Sequence, residues 1–548
     1  MAPLFYTDLH CHSSMKPFHS GKDGDQKSLW EYFEKSQECH PKNIIDKNVD
    51  GMIKYSQVDF SQAYSANIFL LFNALYPIEL PWFALAGIGN VLIRSKEHRL
   101  WLATCLTNFN QEILIEKFLN VKDGIPLAGD PDSLKINYFS RLVHEFGYVR
   151  NQTLDPVNRC RILCDFNDYR SWKSKLQTTT GLKEMAIIMC IEGAHSFHDF
   201  DDFQSMLAFT YEKVKDDRWQ EFDNFRNKML SRIDEVKRWG PDMDHPGLYA
   251  PLYITFSHHF WNLLAGHSTS MSACFMNQSE GLGQPFTALG LIALEKLLER
   301  GPSSRRILID IKHLSYPART GFFKVHRKHE ADQDNFPIIA SHAAVTGFKN
   351  PEDEGRGLPF NSGDINLYDD DILEIKRSEG LIGLMMEETR LLDENILMII
   401  NEHFKDDPAA YSVILAHAVM GQILHIVNLS DDLTGWNIIC LGSDFDGMIN
   451  SLDSFDTALK IPELYTHLHN ILEHNLEVLP LDYSKNPTDP EDIRILFTSE
   501  DVRRLKGDLT ADEIIDKLSY KNVERFLEKF FNEEYLKNTT GNTLIAGG

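Results

Sequence analysis

The chain has 548 residues, of which 43% are hydrophobic and 25% are charged, the composition of an ordinary soluble globular protein with a large core. Acidic residues outnumber basic residues 80 to 55, which gives a formal net charge of −25 at pH 7. Because phosphates are bound by clustered lysines and arginines, this balance argues against a nucleic acid or an anionic membrane as a partner. The eight cysteines include no CxxC pair, so neither a disulfide scaffold nor a zinc knuckle is indicated.

The N-terminal sequence does not resemble a targeting signal. Residues 1–3 lack the basic residues that open a signal peptide, and a strand-like run begins at Leu4. The most apolar stretch, 67–93, is interrupted by two prolines and by Glu79, so it lacks the ~20 uninterrupted apolar residues that cross a bilayer. A cytoplasmic protein is therefore expected.

Short apolar runs, which are typical of parallel strands buried on both faces, recur along the whole chain. They lie at 4–10, 68–75, 185–193, 252–258, 307–313, 337–342, 381–386 and 437–445. Helical periodicity is found between some of them, at 289–299 and 370–377. Eight strands separated by helices predict an α/β fold, the (β/α)₈ TIM barrel.

The uneven spacing of these runs sets the predicted domain organisation. Residues 1–540 are predicted to form a single barrel domain, because no linker or repeat divides them. The segments 94–184 and 194–251 are longer than one helix needs, so they are predicted to be mainly helical insertions. Residues 541–548 are expected to form a C-terminal tail.

Titratable side chains are concentrated where the predicted strands end, and the active site of a TIM barrel lies at the C-terminal ends of its strands. The strand-end residues are His10, His12, Glu192, His195, His258, His313, His342 and Asp444. Imidazole and carboxylate groups are the usual ligands of zinc and similar divalent ions. Because side chains two residues apart on a strand point to the same face, His10 and His12 can bind the same ion. The sequence therefore predicts a metal site at the mouth of the barrel.

The strand-end motifs, taken in order, also resemble those of a known family. The motifs DLHCH, IEGAH, TFSH, DIKHLS, ASHAAV and GSDFDG are similar to those of the membrane (renal) dipeptidase family of the amidohydrolase superfamily. The resemblance continues in GLGQPF at 281–286 and in KLSYKNVERFLEKF at 517–530, but it does not cover the predicted insertions. It implies a hydrolase with two divalent metal ions, expected to be Zn²⁺. Such an enzyme cleaves an amide or peptide bond of a dipeptide-like substrate with a hydroxide that bridges the ions.

The resemblance implies a role for each metal ligand. His10 and His12 would hold the first ion, Glu192 would bridge both ions, and His313 and His342 would hold the second ion. General chemistry agrees with this assignment. Two ions about 3.5–4 Å apart can lower the pKa of a bridging water towards 7 and polarise the scissile carbonyl.

Further residues receive roles beside the ions. By resemblance, Asp444 handles the proton of the attacking water, which a carboxylate can pass on to the leaving amine. His258 matches the family position that contacts the substrate carbonyl or the tetrahedral oxyanion. His195 is interpreted as a residue that orients Glu192 from behind, and Asp446 as the cap of a turn.

The sequence departs from the dipeptidase pattern at two positions. The first motif of the family is usually His-x-Asp, whereas the second position here is His12, as is common elsewhere in the superfamily. After the histidine of strand 6, family members carry an Arg-Asn pair that binds the α-carboxylate of the substrate. The best match here is Ile365-Asn366. Either Arg356 or Arg390 supplies the substrate-binding charge instead, or the substrate has no carboxylate at that place.

Other functions stay open. A PHP-type phosphoesterase also opens with a strand like YTDLHCHSS, but its last motif is usually Asp-x-His, and here that motif is Asp444-Phe445-Asp446. A lactonase-like amidohydrolase is a second alternative. A catalytically inactive barrel used for binding is a third, although such barrels lose ligands piecemeal and every ligand position here carries a competent residue. A small-molecule substrate is expected, with no nucleic acid or membrane as partner, and a homodimer stays open.

Overall fold

A computed structural model describes residues 4–22, 24–34, 55–83, 100, 103–104, 107–111, 136–179, 181–200, 203–271, 276–301, 304–353, 359–430, 432–482 and 493–537. Each of the eight predicted apolar runs overlaps a strand. In chain order, the strands are β1 (Tyr6–Cys11), β2 (Ile68–Leu75), β3 (Ile136–Asn137), β4 (Arg159–Ile162), β5 (Glu184–Glu192), β6 (Asp199–Phe200), β7 (Tyr253–Thr255), β8 (Leu308–Asp310), β9 (Ile339–Ala343), β10 (Leu381–Leu384), β11 (Ile439–Leu441), β12 (Val478–Asp482) and β13 (Ile493–Phe497).

One sheet contains the strands of the predicted barrel, in the order β1-β2-β5-β7-β8-β9-β10-β11. Neighbouring strands run parallel, as in the register of β7 on β8, which pairs Tyr253 with Leu308. A parallel bridge between Cys11 and Phe445 joins the end of β1 to the residues after β11, so the path returns to its first strand. Parallel strands that alternate with helices in this order confirm the predicted (β/α)₈ TIM barrel.

A ninth strand of this sheet, β4, was not predicted from the sequence. It pairs in parallel with β5 and lies inside the segment 94–184, for which helices were expected. In its sequence RCRI, Cys160 and Ile162 are buried, whereas Arg159 is exposed. A strand with one solvated face lacks the continuous apolar run by which the other barrel strands were identified.

Helices separate the barrel strands along the chain. Those of the described residues are Met15–Phe18, Phe60–Ser65, Tyr138–Gln152, Phe166–Thr178, Phe203–Leu207, Tyr211–Val214, Phe222–Val236, Ala288–Leu298, Tyr316–Ala331, Asp369–Arg377, Glu388–Leu391, Glu394–Phe404, Pro408–Asn428, Ile461–His474, Ser499–Lys506, Ala511–Asp516, Asn522–Phe530 and Glu533–Leu536. Both helices that the sequence periodicity predicted are among them, as Ala288–Leu298 and Asp369–Arg377. The first begins where the hydroxyl of Thr287 accepts a hydrogen bond from the amide of Gly290, which satisfies an amide that has no partner inside the helix.

The chain divides into two compact units that interleave along the sequence. Unit one comprises Met1–Leu71, Glu97–Gln111 and Ala340–Val523. Unit two comprises Phe72–Lys96, Glu112–Ile339 and Glu524–Gly548.

The core of unit one contains a long apolar helix, Pro408–Asn428, which the sequence analysis did not predict. It packs against the helix Ile461–His474. Among the helices that the structure describes, it alone is long and apolar enough to cross a membrane. Its most apolar window is 83% buried inside the protein, as in the core helix of a soluble domain, so it is weak evidence for a membrane span.

The core of unit two includes two helices that pack on each other, Phe222–Val236 and Ala288–Leu298. The first lies in the segment 194–251. A buried lysine, Lys237, follows it and donates hydrogen bonds to the backbone carbonyls of Lys296 (2.7 Å) and Glu299 (2.6 Å). The end of one helix is thereby attached to the end of the other.

Candidate active site

Unit one brings four of the predicted site residues together. His10 and His12 lie at the carboxyl end of β1, His342 lies in β9, and Asp444 follows β11. The Nε2 atoms of His12 and His10 are 3.5 Å and 4.0 Å from Oδ1 of Asp444. The ring centroids of His10 and His342 are 4.0 Å apart. All four side chains are buried, so three imidazoles and one carboxylate form a compact cluster of metal-binding groups.

One hydroxyl orients two of these rings. The Oγ atom of Ser341 is 3.1 Å from Nδ1 of His10 and 2.8 Å from Nδ1 of His342. A histidine whose Nδ1 is engaged in a hydrogen bond presents Nε2 to a metal ion, and such a bond fixes the orientation of its ring. His10 and His342 are therefore arranged to bind an ion through Nε2.

A buried carboxylate, Asp8, connects β1 to the loop that carries Asp444. Its Oδ1 atom accepts hydrogen bonds from the amides of Ser443 (2.9 Å) and His10 (3.2 Å), and its Oδ2 atom accepts one from the hydroxyl of Ser443 (2.5 Å). Burial raises the pKa of Asp8 to about 6, although these hydrogen bonds act in the opposite direction. Asp8, the first residue of the DLHCH motif, therefore holds Ser443, the residue before Asp444, in place.

The backbone of the Asp444 loop adopts conformations that most residues avoid. The φ angles are +59° at Asp444, +64° at Asp446 and +63° at Met448. Aspartate tolerates this left-handed region better than most other residues. At Gly447, a Cβ atom would stand 2.1 Å from Oδ1 of Asp444, so a side chain there would collide with the carboxylate. The motif GSDFDG therefore has a structural reason for its last glycine.

The second carboxylate of that loop, Asp446, contacts residues outside its own turn. It forms an ion pair with Nζ of the buried Lys16 at 2.5 Å. It also accepts hydrogen bonds from the amides of Gln57 (3.0 Å) and Val58 (3.4 Å). These contacts attach the Asp444 loop to the segment after β1 and to the chain before β2, which is a different role from the turn cap that was predicted.

Unit two brings together three further residues of the predicted site. Glu192 ends β5, His258 follows β7, and His313 follows β8. The Nε2 atom of His258 is 3.4 Å from Oε2 of Glu192, and the Nε2 atom of His313 is 4.0 Å from Oε1. One ligand atom from each residue lies within 4.8 Å of the other two, and all three side chains are buried. This spacing is suitable for a metal ion.

Glu79, for which the sequence predicted no role, lies next to this second cluster. It follows β2, is buried, and its Oε2 atom accepts a hydrogen bond of 2.6 Å from Nδ1 of His258. Burial alone would raise the pKa of Glu79, but the charges of His258 and His195 and the hydrogen bonds lower it below its ordinary value. One signal in the sequence could have revealed it, because Glu79 is the only acidic residue between positions 68 and 96.

His195 contacts Glu79 and the chain after β2. Its Nε2 atom is 2.7 Å from the carbonyl oxygen of Pro77, and its Nδ1 atom is 3.9 Å from Oε1 of Glu79. Burial lowers the pKa of His195, which favours the neutral ring. These contacts place His195 beside the carboxylate that holds His258, whereas the sequence analysis expected it to orient Glu192.

The two arginines proposed as substrate ligands have different outcomes. Arg356 lies outside the described residues. The Nε atom of Arg390 is 3.2 Å from Oε2 of Glu387, so its charge is partly compensated within the chain. The position that matches the family's arginine, Ile365, is a buried apolar residue, and Asn366 donates to the carbonyl of Arg390 at 2.8 Å.

Comparison with known proteins agrees with this picture. None of the curated proteins matches the chain. A family model described as "Membrane dipeptidase (Peptidase family M19)" matches residues 252–479, which include His258, His313, His342 and Asp444.

Several solved structures are similar to the chain at low sequence identity. The dipeptidase AC, a metallopeptidase of family M19, is 13% identical, with 96% of this chain and 99% of that chain covered and a TM-score of 0.48. A metallopeptidase from Rhodobacter sphaeroides, liganded with a phosphinate mimic of the dipeptide L-Ala-D-Ala, is 11% identical, with 96% and 99% covered and a TM-score of 0.49. The probable dipeptidase PvdM from Pseudomonas aeruginosa is 14% identical, with 95% and 94% covered and a TM-score of 0.43.

The TIM-barrel fold and the matched segment together define the class of protein, a metal-dependent hydrolase. Residues 252–479 match the model of the membrane dipeptidase family, peptidase family M19, which is the family that the strand-end motifs resemble.

Proposed function

We propose that the chain is a binuclear metal-dependent hydrolase that cleaves an amide bond in a small, dipeptide-like substrate. One observation carries the proposal above the others. Glu192, which ends β5, and His313, which follows β8, bring potential metal-ligand atoms together in a buried cluster, and a ring nitrogen of His258, which follows β7, lies within 4.8 Å of both. Active sites of TIM-barrel enzymes lie at this end of the strands, and the family match includes two of the three residues.

The donor sets of both units fit divalent ions such as Zn²⁺, because they consist of imidazole nitrogens and carboxylate oxygens. We assign the ligands by the family resemblance. By that resemblance, His10 and His12 would hold the first ion, His313 and His342 would hold the second, and Glu192 would be a ligand of both. When bound, two such ions lower the pKa of a water towards 7 and polarise the scissile carbonyl.

The remaining steps fall to side chains of the chain itself. Asp444 takes a proton from the attacking water and passes it to the leaving amine, which requires a carboxylate within reach of both groups. Its buried position beside His10 and His12 supports this role. His258 donates to the oxygen that becomes negative in the tetrahedral transition state, an interaction that strengthens as the charge develops.

Metal content is the first test of this function. Purified protein is expected to contain about two equivalents of a divalent ion, as two-metal sites require. Dialysis against a chelator should abolish hydrolysis, and added Zn²⁺ or Mn²⁺ should restore it. Elemental analysis and an amidase assay on the same samples provide the measurement. Protein that is active without any divalent ion would rule out the mechanism.

Substrate preference is the second test. Because the family's carboxylate-binding arginine is replaced by the buried Ile365, a free α-carboxylate there would be desolvated without a cationic partner. We expect N-acetyl amino acid amides or lactones to show at least about 10²-fold higher kcat/KM than L-dipeptides, since an unpaired buried charge costs several kcal/mol. The assay panel should include phosphate esters, whose hydrolysis in place of amides would favour a phosphoesterase.

Two variants serve as the control for substrate preference. Arg356→Ala and Arg390→Ala remove the two arginines that could replace the missing charge. Efficient hydrolysis of ordinary L-dipeptides that survives both substitutions would contradict the prediction.

A cytoplasmic location and a homodimer stay predictions.

A further inference from the structure

Glu79 and His258 form a buried carboxylate–imidazole pair at the edge of the second cluster. The Oε2 atom of Glu79 lies 2.6 Å from Nδ1 of His258, and the opposite nitrogen of the ring, Nε2, lies 3.4 Å from Oε2 of Glu192. The two side chains are only 2% and 4% exposed, so water does not compete strongly for the bond. Glu79 lies outside the segment that matches the family model, and no strand-end motif contains it.

The carboxylate of Glu79 is itself held in place. Its Oε1 atom accepts a hydrogen bond from the amide of Phe260 at 3.2 Å, and its Oε2 atom accepts one from the hydroxyl of Tyr76 at 3.2 Å. That hydroxyl in turn accepts a hydrogen bond of 2.9 Å from Nε1 of Trp82. The chain from indole to phenol to carboxylate to imidazole uses groups from the residues after β2 and after β7, and it leaves the ring of His258 little freedom to rotate.

We propose that Glu79 is a positioning residue of the reaction, which holds a proton on Nδ1 of His258 and directs Nε2 of that ring towards the substrate. The inference rests on the proposed function, in which His258 donates to the developing oxyanion. A carboxylate that accepts a hydrogen bond from Nδ1 fixes the orientation of the ring, as the aspartate does for the histidine in serine protease triads.

His195 and Tyr76 complete the surroundings of the pair. The ring of Tyr76 stands edge-on to the ring of His258 at a centroid distance of 4.8 Å. His195, whose Nε2 contacts the carbonyl of Pro77, is close to the other oxygen of Glu79. Of the two rings, that of His258 makes the shorter contact with Glu79, at 2.6 Å compared with 3.9 Å for His195.

A double-mutant cycle tests the proposal with N-acetyl-L-alanine amide as substrate. The proteins are the wild type, Glu79→Gln, His258→Ala and the double variant. Glutamine keeps the shape of Glu79 but removes the charge and can donate to Nδ1. We expect Glu79→Gln to lower kcat by about 10–100-fold, the usual effect of losing a partner that orients an active-site histidine. KM and metal content should stay near wild-type values.

Coupling between the two residues distinguishes positioning from a structural role. In the His258→Ala background, Glu79→Gln should cause no further loss, because Glu79 acts only through that ring. Glu145→Gln is the matched control. Glu145 is also buried and accepts a hydrogen bond of 3.0 Å from the backbone amide of Tyr76, so we expect kcat to change little in Glu145→Gln.

Two results would overturn the proposal. One is an unchanged kcat in Glu79→Gln. The other is a loss that is as large in the His258→Ala background as in the wild type, which would show that Glu79 acts independently of His258. If His258→Ala itself retains full activity, the assigned role of His258 in the proposed function fails, and with it this inference. The variant His258→Ala therefore distinguishes a failure of the proposed function from a failure of the role proposed for Glu79.

Discussion

Replacing Glu192 by glutamine should remove at least one equivalent of bound metal and lower kcat by at least about 10³-fold. Glu192 ends β5 and has both carboxylate oxygens close to imidazole nitrogens, Nε2 of His258 at 3.4 Å and Nε2 of His313 at 4.0 Å. A glutamine has the same shape but no negative charge, and its amide is a poorer ligand for a divalent ion. Because the metal supplies several kcal/mol of transition-state stabilisation, and 1.36 kcal/mol corresponds to a factor of ten, its loss has a large effect.

The same strand provides a matched control for this experiment. Glu184 is the first residue of β5, at the opposite end from Glu192, and only partly buried. Glu184→Gln should therefore bind the full complement of metal and keep normal activity. Elemental analysis and the thermal midpoint Tm should be measured for both variants, since a bound ion also stabilises the folded state. Full metal content in Glu192→Gln would show that Glu192 is not a ligand.

The barrel could be predicted because its strands are buried on both faces. In β1 all six residues are buried, and in β2 only one of eight is not, which produces continuous apolar runs. Recognition by sequence pattern also explains why β4 and the helix Pro408–Asn428 were not predicted. β4 has a partly solvated face, and its alternating sequence RCRI gives no such run. The helix Pro408–Asn428 is apolar on nearly all sides, so it lacks the periodicity that identifies an amphipathic helix.

The site residues could be predicted to a similar extent and for related reasons. His10, His12, His313 and Asp444 stand at or just beyond strand ends in recognisable motifs, where the fold itself determines their location. Glu79 gave no comparable signal. It lies four residues beyond the end of β2, after Pro77, and its relation to His258 depends on a contact between residues 179 positions apart. Long-range pairings of single side chains are not encoded in local spacing.

The largest effect without loss of metal is expected for Asp444→Asn. Asparagine fits the same space and keeps the backbone bond from the amide of residue 444 to the carbonyl of His10, at 3.0 Å. It cannot accept the proton of the attacking water, and loss of a general base typically costs about 10²–10⁴-fold in rate. We therefore expect kcat to fall by that factor, with a smaller change in metal content than in His313→Ala.

An exposed aspartate serves as the control for this experiment. Asp453 is 44% exposed and pairs with Lys405 at 3.3 Å, so Asp453→Asn should keep both metal and activity. Steady-state kinetics with N-acetyl-L-alanine amide and elemental analysis should be performed on all three variants.

If Asp444→Asn turns over at a near-normal rate, another group must accept the proton, because neither an asparagine side chain nor its backbone can do so at neutral pH. A normal rate would thus remove Asp444 from the mechanism while leaving the metal ligands in place. A low rate with full metal content would separate proton transfer from metal binding, which His313→Ala cannot do, because that variant loses its ligand and its activity together.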